Sequence, residues 1–282
     1  MTGHKDRIIR GPPFWLEVFR DVGVKAQKVS QQIWGTPEAQ KELGRGAGGD
    51  RTVEMDRRLE DILIDKLKRV GDVRLISEES GLLEFGEPNA TIIADPLDGS
   101  FNAKMGIPLF TISLALVEGD LRMGNITLGY IRNLLTGKDY VGITGKGATF
   151  DGTPLQTSDR TDVTVLGMEC HPNTVLALRQ SLTVVDNDTR FRSLGCASMD
   201  LCLVAKGVFD TVIDVRERRS RIIDIAAGYR IVLEAGGMMT DEEGRPLDDI
   251  KVEMSTRINF VASGNIVVHK KVLRMLEEQG YS

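Results

Sequence analysis

The chain has few of the residues that most often mark a zinc protein or a disulfide-stabilised protein. Its 282 residues include 3 cysteines and 3 histidines, and 5% of them are aromatic. The cysteines form no Cys-x-x-Cys pair, and the histidines lack the spacing of zinc ligands. Three cysteines cannot all pair within one chain, which favours buried thiols in a reducing compartment. Neither a zinc site nor histidine-based catalysis is predicted.

Long apolar segments and a large positive charge are also missing. No apolar run approaches the length of a membrane-spanning helix, and no signal-peptide core follows the charged N-terminal residues. The 36 basic and 41 acidic side chains give a net charge of −5, which argues against nucleic-acid binding as a main activity. We therefore expect a soluble, cytoplasmic protein with neither a membrane nor a nucleic acid as partner.

The most informative feature that is present is the run Asp-Pro-Leu-Asp-Gly-Ser at residues 95–100, directly after an apolar stretch at 91–94. A short buried strand would deliver Asp95 and Asp98 into a tight turn, and Gly99 would let a ligand approach the backbone. Hard cations such as Mg²⁺ prefer oxygen ligands of this kind. The alternative is that Asp-Pro and Asp-Gly act here as ordinary turn formers.

Two further segments place acids at the ends of apolar elements. Glu78 follows the apolar run at residues 73–76, and Asp224 lies at the start of an apolar helix rich in alanine and glycine. An acid at a helix start also stabilises the helix dipole, so a capping role is the alternative for Asp224. Three acidic strand ends or helix starts in one chain favour a metal site.

On these motifs the chain resembles the inositol monophosphatase / fructose-1,6-bisphosphatase family of Mg²⁺-dependent, lithium-sensitive phosphatases. The resemblance covers most of the chain, from about Gly49 to Ala262. It lies on Glu78-Glu79, residues 95–102, Gly106-Ile107-Pro108, Arg192-x-x-Gly195, residues 201–207 and Asp224-x-Ala-Ala-Gly. It implies hydrolysis of a phosphate monoester on a small sugar or polyol, and the archaeal branch that accepts fructose 1,6-bisphosphate and inositol 1-phosphate is the most similar.

The resemblance also implies a set of metal ligands and ions. Two or three Mg²⁺ ions are expected, with Mn²⁺ as a possible substitute and Li⁺ as an inhibitor. Glu79 is expected to support the site from outside or to contact a third ion. The implied ligands are the side chains of Glu78, Asp95, Asp98 and Asp224 and the carbonyl of Leu97.

Catalytic and phosphate-binding roles follow from the same resemblance. Asp56 and Ser100 would orient a metal-activated water, with Glu78 also counted as catalytic, and the N–H groups of Gly99 and Ser100 would bind the phosphate. Asp56 lies 22 residues before Glu78, a spacing close to the family's, but it also starts a helix and could be a cap. Ser100 replaces the family's more frequent threonine, and Ala103 stands where many members carry an aromatic residue.

The segment before Asp224 is rich in arginine and bears on the substrate. Asp214 is a candidate acceptor for sugar hydroxyls. One or more of the arginines at 216, 218, 219 and 221 could bind a second phosphate, with Arg216 preferred, and Arg192 is a further candidate. A solvated, partly ion-paired hairpin is the alternative for the arginines. Two other functions stay open: a nucleotide phosphatase of the phosphoadenosine phosphate or NADP type, for which no adenine slot is evident, and a non-catalytic relative that binds metal or a protein partner. The intact acid set argues against the second.

The pattern of elements predicts an α+β fold. Helices are expected from Pro12-Pro13 to about Gly35 and from Asp56 to Val70, strands from Val73 to Ile143, and alternating strands and helices beyond. By resemblance this is a layered αβαβα sandwich, antiparallel-rich in its N-terminal half and α/β in its C-terminal half, and a homodimer. We expect two domains, 1–150 and 151–282, divided within a glycine-rich segment at 145–154. A helix is predicted at 174–182, and residues 44–50 are predicted to lack regular structure.

Overall fold

The computed structural model describes residues 10–47, 51–168, 188–215, 220–278 and 280. The predicted helix at 174–182 lies outside these ranges. Within them, no helix is both long and apolar enough to cross a membrane. The helices are α1 (Pro12–Ile33), α2 (Glu54–Val70), α3 (Ser100–Met105), α4 (Ala197–Ala205), α5 (Ile222–Glu234) and α6 (Ile266–Glu278).

The larger sheet has eight strands and is antiparallel except for one pair. Its order is β10-β9-β8-β7-β6-β5-β3-β4, and β3 and β5 are the parallel pair. The central strand β5 is buried along its whole length, as expected for a strand covered on both faces. The strands are β3 (Val73–Ser77), β4 (Gly81–Phe85), β5 (Ala90–Asp98), β6 (Thr111–Val117), β7 (Ile126–Asn133), β8 (Asp139–Ile143), β9 (Gly147–Phe150) and β10 (Thr153–Pro154).

A smaller mixed sheet follows in the C-terminal half. Its order is β12-β11-β13-β17-β15, with β11 parallel to β12 and to β13 and the remaining pairs antiparallel. Two short antiparallel pairs, β1 with β2 and β14 with β16, lie outside both sheets. These strands are β1 (Glu42–Arg45), β2 (Arg51–Val53), β11 (Val165–Met168), β12 (Arg190–Arg192), β13 (Thr211–Asp214), β14 (Ser220–Arg221), β15 (Met238–Thr240), β16 (Arg257–Ile258) and β17 (Phe260–Ser263).

Helices and sheets stack in five layers. Ile92 of β5 packs with α1 and α2 on one face of the large sheet, and the next residue, Ile93, packs with α4 and α5 on the other. The cluster around α4 and α5 also includes Val212 and Phe260 of the smaller sheet. Helix α6 packs on the far side of that sheet through residues such as Val268. The predicted αβαβα sandwich and α+β class are confirmed.

Helix α5, whose first turn carries Asp224, lies very close to the large sheet. Gly129 of β7 and Gly142 of β8 face it, and a Cβ on Gly142 would stand 2.7 Å from the Ile231 Cα. A Cβ on Gly129 would collide with the carbonyl oxygen of Ala227. Two strand positions without side chains therefore set the distance between the helix and the sheet.

Some local expectations were wrong. Gly44 and Arg45, expected to lack regular structure, belong to β1, which pairs with β2; residues 48–50 lie outside the described ranges. The glycine-rich segment at 145–154 forms β9 and β10, which extend the large sheet. Helix α3 falls in a region expected to hold only strands. The division into domains 1–150 and 151–282 stays a prediction.

Candidate active site

Glu78 and Asp95 lie side by side near the carboxyl-terminal ends of two neighbouring strands of the large sheet. The parallel strands β3 and β5 are in register, with Ser77 opposite Ala94. Glu78 and Asp95 are the next residues on each strand, and the Glu78 N–H donates a hydrogen bond to the Ala94 carbonyl oxygen at 3.3 Å. The parallel pairing thus turns two acids that are distant in sequence into neighbours.

Asp224 reaches the same place from helix α5. One carboxylate oxygen from each of Glu78, Asp95 and Asp224 lies within 4.8 Å of the other two. We call these residues the three-acid cluster. Carboxylate oxygens are the donors that hard divalent cations take in proteins, so this donor set fits Mg²⁺ or Mn²⁺. Three of the four predicted acidic metal ligands are therefore brought together.

The three-acid cluster is electrostatically strained without a cation. The pKa of Glu78 is raised to about 8, chiefly by burial and also by the charges of Asp224 and Glu79, against the opposing effect of Arg221. Burial, followed by the charges of Glu78, Asp98 and Asp224, raises the pKa of Asp95 well above its ordinary range. The pKa of Asp224 is also raised, chiefly by burial. Positive charge placed between these groups would relieve their repulsion.

Arg221 supplies part of that positive charge. Its guanidinium Nη1 lies 2.5 Å from Glu78 Oε1, and its Nε lies 3.1 Å from both carboxylate oxygens of Asp224. Arg221 is one of the arginines considered for a second-phosphate site, and it contacts two predicted metal ligands; the phosphate-binding role of this group stays a prediction. Arg216, Arg218 and Arg219 lie outside the described residues.

Asp98, the fourth predicted acid, ends β5 and is joined to helix α4. Its Oδ2 accepts a hydrogen bond from the Ser198 N–H at 2.7 Å and another from the Cys196 thiol at 3.3 Å. The side chain is buried but is not a member of the three-acid cluster. Asp98 therefore holds the end of β5 against α4, and its role as a metal ligand stays a prediction.

The turn after β5 depends on Gly99. Its φ is +84°, and a Cβ there would lie 3.0 Å from the Leu109 carbonyl oxygen and 3.3 Å from the Cys196 Cβ. Both the left-handed conformation and the lack of space require glycine. The Leu97 N–H donates a hydrogen bond to Asp95 Oδ1 at 3.0 Å, and Ser100 begins helix α3. The predicted phosphate-binding N–H groups thus stand at a helix start beside Asp98.

Asn102 connects helix α3 to the Arg192-x-x-Gly195 segment. Its Nδ2 donates hydrogen bonds to the carbonyl oxygens of Leu194 at 2.7 Å and Leu109 at 3.0 Å. These bonds connect helix α3 to the segment that leads into α4. No role was assigned to Asn102 from the sequence, although it belongs to the quoted motif, because its partners lie 7 and 92 residues away.

Asp56 lies in the first turn of α2 and serves there as a cap. Its Oδ2 accepts a hydrogen bond from the Val53 N–H at 2.7 Å. Its pKa is raised to about 7, chiefly by burial and also by the charges of Glu79 and Glu60, against the lowering effect of the Val53 hydrogen bond. Glu79 in turn accepts a hydrogen bond from the Thr52 hydroxyl. The capping interpretation is confirmed, and the predicted catalytic role of Asp56 is compatible with it.

The family model for the inositol monophosphatase family matches residues 15–279. The chain belongs to this family. The predicted resemblance and the predicted enzyme class, a phosphoric monoester hydrolase, are thereby confirmed. The breadth of the match leaves no large part of the chain unassigned to the family.

Relatives of this family member agree with that assignment. A fructose-1,6-bisphosphatase/inositol-1-monophosphatase of Methanothermobacter thermautotrophicus is 33% identical over 276 residues, 94% of this chain and 97% of that protein. A bifunctional NADP phosphatase/NAD kinase of Methanococcus maripaludis is 29% identical over 92% of this chain and 48% of its own. A solved inositol monophosphatase-fructose 1,6 bisphosphatase has a TM-score of 0.80 at 28% identity, covering 93% of this chain and 99% of that one.

In this member of the inositol monophosphatase family, those residues predicted to bind substrate that the structure describes are not seen to form one group with the three-acid cluster. Asp214 is 1% exposed and accepts a hydrogen bond from the Ser220 hydroxyl. Arg192 lies exposed at the end of β12, where its Nη1 donates to the Phe191 carbonyl oxygen at 2.7 Å. Arg216 lies outside the described residues. The assignment of all three to substrate binding stays a prediction.

Proposed function

We propose that this protein hydrolyses a phosphate monoester of a small sugar or polyol, with Mg²⁺ held by the three-acid cluster. The observation that carries the proposal is the convergence of Glu78, Asp95 and Asp224 from two strands and a helix. Asp98 and the carbonyl of Leu97 complete the proposed ligand set at the end of β5. We propose two or three ions, with Mn²⁺ as a substitute and Li⁺ as an inhibitor.

When bound, the ions supply positive charge to the phosphoryl oxygens and lower the pKa of water, which makes water a usable nucleophile near neutral pH. The chain's own residues orient that water. Asp56, with a pKa of about 7, is partly ionised near neutral pH and can accept a proton. The Ser100 hydroxyl, at the start of α3, is the second orienting group, and Glu78 is the third member of the proposed catalytic set.

Substrate phosphate is held by backbone donors in this proposal. The first N–H groups of a helix have no partner inside the helix, and the positive end of the helix dipole favours an anion there. Gly99 and Ser100 occupy these positions at the start of α3. Glycine suits position 99 because its φ of +84° is one that other residues rarely adopt.

The sugar part of the substrate would meet Asp214 and the arginines Arg192 and Arg216. A second phosphate would favour a bidentate arginine, as in fructose 1,6-bisphosphate, whereas inositol 1-phosphate needs hydroxyl acceptors. The Methanothermobacter relative is named for both activities. We therefore propose that this protein acts on fructose 1,6-bisphosphate, inositol 1-phosphate or both, as a cytoplasmic homodimer.

A second candidate function is removal of a phosphate from a dinucleotide. Its support is the similarity to the NADP phosphatase/NAD kinase of Methanococcus maripaludis. An adenine ring usually stacks on an aromatic side chain, and the chain has 2 tryptophans and 4 tyrosines. Tyr130, Tyr140 and Tyr229 are buried in the core and cannot serve. A role as a non-catalytic metal-binding partner protein is the weakest candidate, because every predicted acid is present.

The decisive experiment measures phosphate release from fructose 1,6-bisphosphate, inositol 1-phosphate and NADP, each with Mg²⁺ and with EDTA. We expect Mg²⁺-dependent release from one or both sugar phosphates and little from NADP. Asp95→Asn should lower kcat by about a hundredfold or more, because a metal ion contributes several kcal/mol of charge stabilisation. Asp162→Asn, which changes an acid with an 80% exposed side chain, is the matched control. Release that persists in EDTA would contradict the proposal.

A further inference from the structure

Arg221 contacts two members of the three-acid cluster directly. Its guanidinium lies between Glu78 and Asp224, with a nitrogen–oxygen distance of 2.5 Å to the first and 3.1 Å to the second. The Arg221 side chain is 16% exposed. The planar guanidinium can bind two carboxylates at once through different nitrogens, which a single ammonium group does less well.

We propose that Arg221 is a built-in counter-ion that the first divalent cation displaces from Glu78 and Asp224. This inference rests on the proposed metal-dependent function. Both carboxylates are proposed metal ligands, and the guanidinium that contacts them occupies lone pairs and space that a coordinated cation would use. The guanidinium and the cation therefore compete for the same oxygens.

The charges of the cluster support this competition. Three carboxylates at one place carry three negative charges when ionised, and two of them contact Arg221, so the guanidinium neutralises one of the three. A divalent cation neutralises two and so replaces the arginine with a net gain of attraction. Loss of the guanidinium contact is then part of the cost of cation binding, and Arg221 sets how tightly the site holds its metal.

The position of Arg221 in the chain suits a side chain that moves. Its backbone is fixed, because Arg221 pairs with Arg257 across the strands β14 and β16 and directly precedes helix α5. The long side chain can change rotamer without moving that backbone. Arg257, its cross-strand partner, donates instead to the carbonyl oxygens of Met254 and Thr256 and contacts no acid of the cluster through those bonds.

The test is a titration with Mn²⁺ in the absence of substrate. The electron paramagnetic resonance signal of free Mn²⁺ measures how much of the ion is bound. We expect Arg221→Gln to bind Mn²⁺ about tenfold more tightly than the unaltered protein, since no guanidinium must be displaced. Arg221→Lys keeps the charge but lacks the two-sided contact, so its affinity should lie between the two. Arg257→Gln removes the same charge from the neighbouring strand and should bind within about twofold of the unaltered protein.

Each outcome separates this inference from the proposed function. If the unaltered protein binds no Mn²⁺ at all, the metal part of the proposed function fails. If it binds Mn²⁺ and the folded Arg221 variants bind it equally or more weakly, the counter-ion inference alone is overturned. An equal gain in Arg257→Gln would also overturn it, because the effect would then be one of general charge. Circular dichroism checks the fold, and Arg221→Lys decides the question if Arg221→Gln does not fold.

Discussion

The Asp98 carboxylate and the Ser198 backbone N–H are joined by a 2.7 Å hydrogen bond across 100 residues of sequence. This bond connects the last residue of β5 to the first turn of α4, and so connects the large sheet to the middle helical layer. Asp98 is thus in a position to act on two things at once: the proposed ion and the packing of the site's walls.

Asp98→Asn should separate these two roles. The amide keeps an oxygen that can accept the Ser198 N–H, so the unfolding free energy should change by about 1 kcal/mol or less. Loss of the negative charge should lower kcat by about a hundredfold or more if Asp98 binds a metal ion. Steady-state kinetics in saturating Mg²⁺ and urea denaturation provide the two numbers. Activity near that of the unaltered protein would remove Asp98 from the ligand set.

Mg²⁺ should raise the melting temperature of the protein. A cation that binds the folded chain alone stabilises it, and at a hundredfold excess over Kd the gain is about 2.7 kcal/mol, or roughly 5 °C or more for a chain of this size. Differential scanning fluorimetry with Mg²⁺ and with EDTA measures the shift. Asp95→Asn should lose it and the exposed-acid control Asp162→Asn should keep it. A shift unchanged in Asp95→Asn would place the ion elsewhere.

The metal-free protein should become less stable as the pH rises from 3.8 towards 7. Burial raises the pKa of Asp56 from 3.8 to about 7, so over this range the folded chain holds a proton that the unfolded chain has lost. Asp56 therefore lowers the stability of the folded chain as the pH rises, and its share of this loss is complete above about pH 7. Asp56→Asn keeps an acceptor for the Val53 N–H and should reduce the slope of unfolding free energy against pH.

Glu54, two residues before Asp56, provides the control for this measurement. The hydrogen bond from Arg58 lowers the pKa of Glu54, so any stability that Glu54 contributes is lost as the pH falls, the opposite direction. Glu54→Gln should therefore not reduce the downward slope with rising pH. Denaturation in EDTA at several pH values gives the slopes. An identical slope in Asp56→Asn and the unaltered protein would contradict the raised pKa.

Gly99→Ala should destabilise the chain more than an alanine at an open glycine with similar φ. Gly145 has φ +70° and no atom within 4 Å of the place that an alanine methyl group would take, so Gly145→Ala reports the backbone cost, about 1–2 kcal/mol. Gly99→Ala adds a contact of 3.0 Å with the Leu109 carbonyl oxygen. We expect a total of roughly 2–5 kcal/mol from chemical denaturation. Equal costs at the two positions would show that the turn after β5 has room to relax.

The sequence allowed the local part of the site to be predicted. Glu78, Asp95 and Asp224 each follow an apolar run or begin a helix, and such starts and ends are marked by nearby residues. The layered fold followed from the order of these elements and from the family resemblance. The same local rules failed for the β1–β2 pair, because a glycine-rich stretch can still pair as a strand when a neighbouring segment offers the hydrogen bonds.

The contacts that complete the site were not predictable in this way. Arg221 meets Glu78 across 143 residues, and Asn102 meets Leu194 across 92. No local pattern identifies such partners, because the packing of the layers determines which distant residues come into contact. Arg221 illustrates the consequence: no residue near it in the sequence indicated that its side chain would contact Glu78 and Asp224.

The bare backbone of Gly129 and Gly142 has a consequence for the chemistry as well as for packing. Helix α5 rests on these two positions, and Asp224 stands at the helix's first turn. A methyl group at either position would press against the α5 backbone, and we expect α5 and its Asp224 carboxylate to move away from Glu78 and Asp95. Two glycines that do not contact the three-acid cluster therefore help to set the distance between Asp224 and the other two acids.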